Sequence, residues 1–220
     1  MMAFDPEQAR FNMVEQQIRP WEVLDPAVLD VLRQVPREQF VPEEQQIRAF
    51  SDTTLPIGHG EVMMPPVVEG RLLQALQIQG SDQVLEIGTG TGYLTACLAS
   101  LGASVHSVDR HADFIEQAGR RLEQLDIRNV QLETADVFAD WNAGNRFEVI
   151  ALTGAVASHP EAFARQLTIG GRLFAVVGKP PAMQAILVTR DGEEQFTTEA
   201  LFETCLPWLH GAEPRPTFDF

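Results

Sequence analysis

Apolar positions recur with helical spacing over the first 80 residues and gather into short runs from residue 83 onward. "DPEQARFNMVEQQI" opens with an acid and a proline, a helix start. "DPAVLDVLRQV" repeats that opening and places Val28, Leu29, Val31, Leu32 and Val35 on one face. Prolines interrupt "PREQFVPEEQQIRAF", residues 51–66 read as loop, and "PPVVEGRLLQALQI" reads as a further helix with Val67, Val68, Leu72, Leu73 and Leu76 on one side. "QVLEIG", "SVHSVD", "VQLETAD", "RFEVIALTG" and "GRLFAVVG" then read as strands. "GYLTACLASLG", "ADFIEQAGRRLEQLD" and "SHPEAFARQL" read as the helices between them, and Gly170-Gly171 as a helix stop and tight turn. This alternation predicts an α/β fold with a mostly parallel sheet covered on both faces. "AMQAILVTR" and "QFTTEALFET", joined across Asp191-Gly192, predict an antiparallel hairpin completing the sheet. The 220 residues read as a single domain, with a helical and loop-rich extension over 1–80 and the sheet core over 81–220. The tail "HGAEPRPTFDF" is Pro-rich and reads as irregular.

Composition narrows the partners. A formal net charge of −15 argues against a nucleic-acid ligand, which needs a concentrated basic surface. It also disfavours anionic substrates, although salt screens such a field beyond about 8 Å, so a local pocket can overrule it. No apolar run approaches the roughly 20 residues of a membrane span, and "MMAFDPEQARFNMVEQQ" makes a poor signal peptide. The two cysteines, Cys97 and Cys205, lie in apolar contexts and read as buried reduced thiols, in keeping with a cytoplasmic protein. Trp208 reads as core. His106 and His111 flank a strand without ligand spacing, so no metal site is expected.

The chemistry concentrates in "VLEIGTGTGY", which follows a strand and opens a helix. Gly88, Gly90 and Gly92 allow a tight turn whose backbone can approach a ligand at the C-terminal edge of the sheet. A dinucleotide fingerprint wants a small residue where this chain has Tyr93, which argues against NAD and FAD as ligands. Glu86 places an acid inside a strand end, and Asp109 ends the next strand at the distance where an acid grips a ribose hydroxyl. On their residues alone, Glu86, Asp109 and Asp136 also read as a strand-end acid, a helix cap and a turn residue.

This combination resembles the motifs of class I S-adenosylmethionine-dependent methyltransferases, and it implies their Rossmann-like sheet. The resemblance implies that the glycine loop lies against the amino-acid part of S-adenosyl-L-methionine, that Asp109 takes the ribose hydroxyls and that Asp136 contacts the adenine. The cofactor set it implies is Glu86, Gly88, Thr89, Gly90, Gly92, Asp109, Arg110, Asp136 and Val137. No Asp/Asn-Pro-Pro-aromatic signature follows the fourth sheet strand, which argues further against DNA or RNA as acceptor.

"MVEQQIRPWEVLDPAVLDVLRQVPREQFVPE", "AFSDTTLPIGHG", "FEVIALTGAV" and "LTIGGRLFAVVG" resemble, in order and spacing, protein-L-isoaspartate O-methyltransferases. The similarity runs from residue 10 to about 180, and "VPREQFVP" and "LPIGHG" are its most specific parts. It implies methylation of the misplaced carboxylate of isoaspartyl residues in a damaged protein or peptide. Two stretches depart from the family. Met64 stands where the family carries a serine that holds the incoming carboxylate, and a thioether donates no hydrogen bond. In "ADVFADWNAGNRFEVI" the glycines flanking Asp136 are Ala135 and Val137, and Trp141 appears, which predicts a bulkier, more apolar acceptor side. A different acceptor, including a small molecule, therefore stays open, as does a non-catalytic cofactor-binding module. The acceptor-end candidates are Met64, Thr153 and His59. Thr153 reads equally as packing, His59, as a loop histidine, reads first as a plain surface residue, and Ser51, Thr53 and Thr54 are potential replacement hydroxyls.

Overall fold

The computed structural model describes residues 4–139 and 141–214; the last six positions of the Pro-rich tail lie outside them. The chain opens with α1 (Pro6–Met13), whose Asp5 carboxylate accepts from the N–H groups of Glu7 and Gln8. A π turn (Val14–Ile18) and a 3-10 turn (Arg19–Trp21) continue it. Asp25 caps α2 (Pro26–Gln34) in the same way, and α2 buries Val28, Leu29, Val31 and Leu32. Residues 37–50 run as two 3-10 segments, because Pro36 and Pro42 interrupt a regular helix.

The expected loop over 51–66 is partly strand. β1 (Leu55–Gly58) and β2 (Glu61–Met63) form a small antiparallel hairpin with Leu55 opposite Met63. α3 (Pro66–Leu76) then leads into β3 (Gln83–Ile87), α4 (Tyr93–Leu101), β4 (Ser104–Asp109), α5 (Ala112–Gln124) and β5 (Val130–Thr134). β6 (Phe147–Val156), the short α6 (Glu161–Ala164), β7 (Leu167–Lys179), β8 (Ala182–Arg190) and β9 (Phe196–Thr204) complete the chain order.

The seven sheet strands lie in the order β5-β4-β3-β6-β7-β8-β9. The first five are parallel and the last two add antiparallel, as the sequence pattern predicts. The sheet is covered on both faces: Val84 of β3 packs into the larger core with α2, α3 and α4, while Leu85 and Ile87 face the opposite core. The order reverses at β3, the place where an open α/β sheet leaves a crevice beyond its carboxyl edge.

Three expectations are corrected. Gly170-Gly171 is not a turn before a strand but an irregularity inside β7, where the register to β6 shifts and Gly170 has φ +84°. Cys205 is exposed, because it falls after β9 on a segment that leaves the sheet; Cys97 is buried in α4 as expected, and both thiols are free. Trp208 is half-buried at a crevice wall rather than in the core. Among the described residues, no helix is long and apolar enough to cross a membrane.

Candidate active site

A cleft of about 940 Å³, part of it open to solvent, lies at the carboxyl ends of β3, β4 and β6. Its floor is the turn Gly88-Thr89-Gly90-Thr91. Gly88 has φ +99°, and a Cβ there would stand 2.2 Å from Thr153 Oγ1, so only glycine fits. Gly92 serves a different purpose from the one expected. It does not border the cleft; a Cβ there would meet Ala118 at 2.8 Å, so it lets α4 start hard against α5.

Asp109 ends β4 with its carboxylate fixed from two sides. Oδ2 accepts the Gly90 N–H at 2.9 Å and Oδ1 accepts the His111 N–H at 2.9 Å. Two charge-assisted bonds to backbone hold the group still at the cleft wall. Each oxygen keeps a lone pair for a further donor, the arrangement a vicinal diol needs. Arg110, Asp136, Val137 and Phe138 continue this wall, and Asp136 accepts the Phe138 N–H in a tight turn. Trp141 is not part of it. Its indole donates to Glu133 of β5 at 3.0 Å and tilts against His106 of β4, packing on a face of the sheet.

Glu86 does not line the cleft either; it is fully buried behind the glycine turn. Its Oε2 accepts from Thr95 at 2.5 Å and Ser107 at 2.6 Å, and Ser107 meets Thr89 Oγ1 at 2.6 Å. A chain of hydroxyls thus ties the floor of the cleft to a carboxyl group beneath it. Burial pushes the Glu86 pKa up to about 8, against the pull of the two hydroxyls. Between the ordinary carboxyl range and that value, the folded chain keeps a proton the unfolded chain has lost. Stability therefore falls as pH rises through this window. The melting temperature is expected to be lower by several degrees at pH 8.5 than at pH 6.5, and Glu86→Gln to flatten that slope. Calorimetry of both proteins checks it, and parallel slopes would assign the effect elsewhere.

Apolar side chains of Ile57, Val62, Met63, Met64, Leu206, Trp208 and Leu209 line much of the rest of the cleft, with Ile57 and Leu209 against the glycine turn. Met64 is buried at the junction of β2 and α3, and its carbonyl accepts from Arg37 Nη2 at 2.7 Å. Arg37 is itself fully buried. Its Nε donates to the Ala49 carbonyl at 2.7 Å, its Nη1 pairs with Glu69, and the guanidinium lies 4.7 Å from the Tyr93 ring. "VPREQFVP" thus supplies a buried cation that clamps the segment carrying Met64, a role hinted at only by a charge between apolar neighbours.

Thr153 borders the cleft, but its one proton is directed at the carbonyls of Ile87 and Gly88, at 2.9 and 2.8 Å. It holds the glycine turn rather than pointing a donor into space. His59 lies outside the cleft at the hairpin tip, bonded to Asp113. Ser51, Thr53 and Thr54 do not reach it, so none replaces the missing serine hydroxyl. The wall at residues 206–210 had no sequence signal. It is held by Ala155 N–H to Pro207 O and Leu209 N–H to Ala155 O, both 2.8 Å, and by Trp208 Nε1 to Gly178 O at 3.1 Å.

The family model "Protein-L-isoaspartate(D-aspartate) O-methyltransferase" matches residues 8–206. The chain belongs to that family. Among relatives of this isoaspartate O-methyltransferase family, the protein-L-isoaspartate O-methyltransferase of Methylorubrum populi is 38% identical over 190 residues, 86% of this chain and 89% of the relative. Protein-L-isoaspartate O-methyltransferase 2 of Pelobacter propionicus is 36% identical over 208 residues, 94% and 92% of the two chains. A Plasmodium falciparum structure, described as a protein-L-isoaspartate O-methyltransferase in complex with S-adenosyl-L-homocysteine, shares the fold. Its TM-score is 0.79 at 18% identity, over 95% of this chain and all of that one. Membership makes this chain an S-adenosylmethionine-dependent O-methyltransferase.

The donor set suits that cofactor. A fixed carboxylate with spare acceptor capacity stands beside a glycine turn, and Val137 and Phe138 offer apolar surface to a flat ring near Asp136.

Proposed function

We propose that this enzyme transfers the methyl group of S-adenosylmethionine to the free carboxylate of isoaspartyl residues in proteins or peptides. The observation that carries the reading is Asp109, locked by Gly90 and His111 at the wall of a cleft whose lining is otherwise rich in apolar side chains. In this reading Asp109 accepts the ribose hydroxyls. The Gly88-Thr89-Gly90 turn faces the amino-acid portion, and Asp136, Val137 and Arg110 border the base. Gly92 and Glu86 act indirectly, one by packing α4 and the other through the Thr89–Ser107 hydroxyl chain.

The bound cofactor supplies a sulfonium methyl already activated for attack. An acceptor carboxylate is ionised at neutral pH, so no residue needs to remove a proton. The chain's own task is to align the attacking oxygen and exclude water, to which the apolar lining of the cleft contributes. Incubation with labelled cofactor and an isoaspartyl peptide tests this directly. Base-labile label is expected in that peptide and not in the aspartyl peptide of the same sequence.

A second reading, a different and more apolar acceptor, is favoured by one observation: a buried thioether occupies the serine position with no hydroxyl from residues 51–54 beside it. Cofactor binding without label in the isoaspartyl peptide would move the assignment there. Met64→Ser is expected to raise kcat/KM for the isoaspartyl peptide about tenfold, since one hydrogen bond to a charged group contributes roughly 1.5–3 kcal/mol. Unchanged turnover would show that Met64 is not what limits this activity.

A further inference from the structure

The hairpin tip and the start of α5 bring together groups that the sequence keeps more than fifty positions apart. His59 sits between β1 and β2, and His111 and Asp113 begin α5. One ring nitrogen of each histidine and one oxygen of Asp113 all lie within 4.8 Å of one another. The two imidazoles stack with centroids 4.1 Å apart and planes 12° from parallel, and both rest edge-on against Phe114. His59 Nε2 already meets the Asp113 oxygens at 2.9 and 3.0 Å, and the Glu61 carboxylate stands 3.9 Å from His111 Nε2.

We propose that His59, His111 and Asp113, joined by Glu61, bind a divalent transition metal that pins the β1–β2 hairpin to α5 across the mouth of the cleft. Two imidazoles and two carboxylates form a donor set suited to zinc or its neighbours, because hard cations such as Mg²⁺ favour all-oxygen shells. A parallel imidazole stack opposes a positive charge on both rings, whereas a shared dication uses two neutral rings as ligands. Tetrahedral zinc with bonds near 2.1 Å needs ligand atoms about 3.4 Å apart, so the His59, His111 and Asp113 atoms must contract by about 1.4 Å at most, the two rings turning out of their stack so that their lone pairs converge, while Glu61 moves in with the hairpin. The turn allows this: Gly58 and Gly60 flank His59, and nothing lies within 4 Å of a Cβ built at Gly60.

His59 itself has φ +54°, a left-handed conformation that a histidine adopts at some cost, and it aims its ring at α5 rather than at solvent. An exposed His–Asp pair contributes little by itself and accounts neither for the second stacked ring nor for Glu61. His111 and Glu61 also line the cleft, so the metal sits at its entrance. Closing the hairpin there slows exchange of cofactor and acceptor. The proposal is independent of which acceptor the enzyme uses.

The test uses tag-free full-length protein carrying Cys205→Ser, so that the exposed thiol does not compete. Zn²⁺ is titrated in competition with a chromophoric chelator. One equivalent per chain is expected, with at least 30-fold weaker binding in His59→Ala and in His111→Ala, and no competition from millimolar Mg²⁺. Zn²⁺ is also expected to raise the melting temperature of the parent and not of the double variant, and to protect the Gly58–Gly60 turn from proteolysis. Equal Zn²⁺ affinity in the parent and the double variant would overturn the proposal. So would unchanged proteolysis at the turn. Melting of the metal-free variants within a degree or two of the parent shows that their folding is intact.

Discussion

Asp109→Ala is expected to lower the affinity for S-adenosylmethionine by 100-fold or more while the chain stays folded. The carboxylate at the tip of β4 has both oxygens aimed by backbone N–H donors, so it meets a ligand without reorganising. Two charge-assisted bonds to ribose hydroxyls contribute roughly 3 kcal/mol or more together, which is the origin of the factor. Asp109→Asn should come close to the same loss despite its similar shape. An amide has one acceptor oxygen, and its NH₂ would face the N–H of Gly90 or of His111. Titration calorimetry reads the affinity and a thermal melt confirms folding. A loss below fivefold in a well-folded Asp109→Ala would mean that the ribose is held elsewhere.

Arg37→Leu is expected to produce the largest stability loss. The side chain is fully buried, and its removal strands Glu69 without a counter-charge and leaves the carbonyls of Ala49 and Met64 without donors. Breaking a buried pair from one side costs about 3–5 kcal/mol, or roughly 10 °C in melting temperature at this chain length. The double variant Arg37→Leu with Glu69→Leu should recover much of that stability, since two apolar groups need no partners. It should not recover turnover, because the Met64 carbonyl has still lost its anchor. Thermal melts with kcat measured on each variant check both halves. A single variant that melts within two degrees of the parent would show that the pair does not stabilise the fold.

Much of the fold was legible because its signals are local. Pro after an acid starts α1 and α2, period-two and continuous apolar runs mark the sheet, and Asp191-Gly192 marks the final hairpin. The glycine turn and Asp109 were legible for the same reason, since both lie at strand ends at a fixed spacing. What escaped depends on distant segments meeting. Arg37 looked like part of a helix-poor stretch until Glu69 and Met64 packed against it. His111 has no ligand spacing to His106 across β4, because its neighbour His59 arrives from the hairpin. Trp141 looked like an acceptor-side residue, but Glu133 draws its indole onto a sheet face beside His106, away from the cleft. Glu86 and Gly92 were placed at the cofactor on motif position alone, whereas their contacts run inward, to Ser107 and to Ala118.

The segment at residues 206–210 comes after every strand of the sheet, yet it walls the cleft by pairing with Ala155. A ribosome therefore delivers the glycine turn and Asp109 long before the enclosure that keeps solvent off them. A nascent chain halted after β9 would carry a finished sheet and an open trough. Competence to act on other polypeptides thus waits for the residues that follow β9.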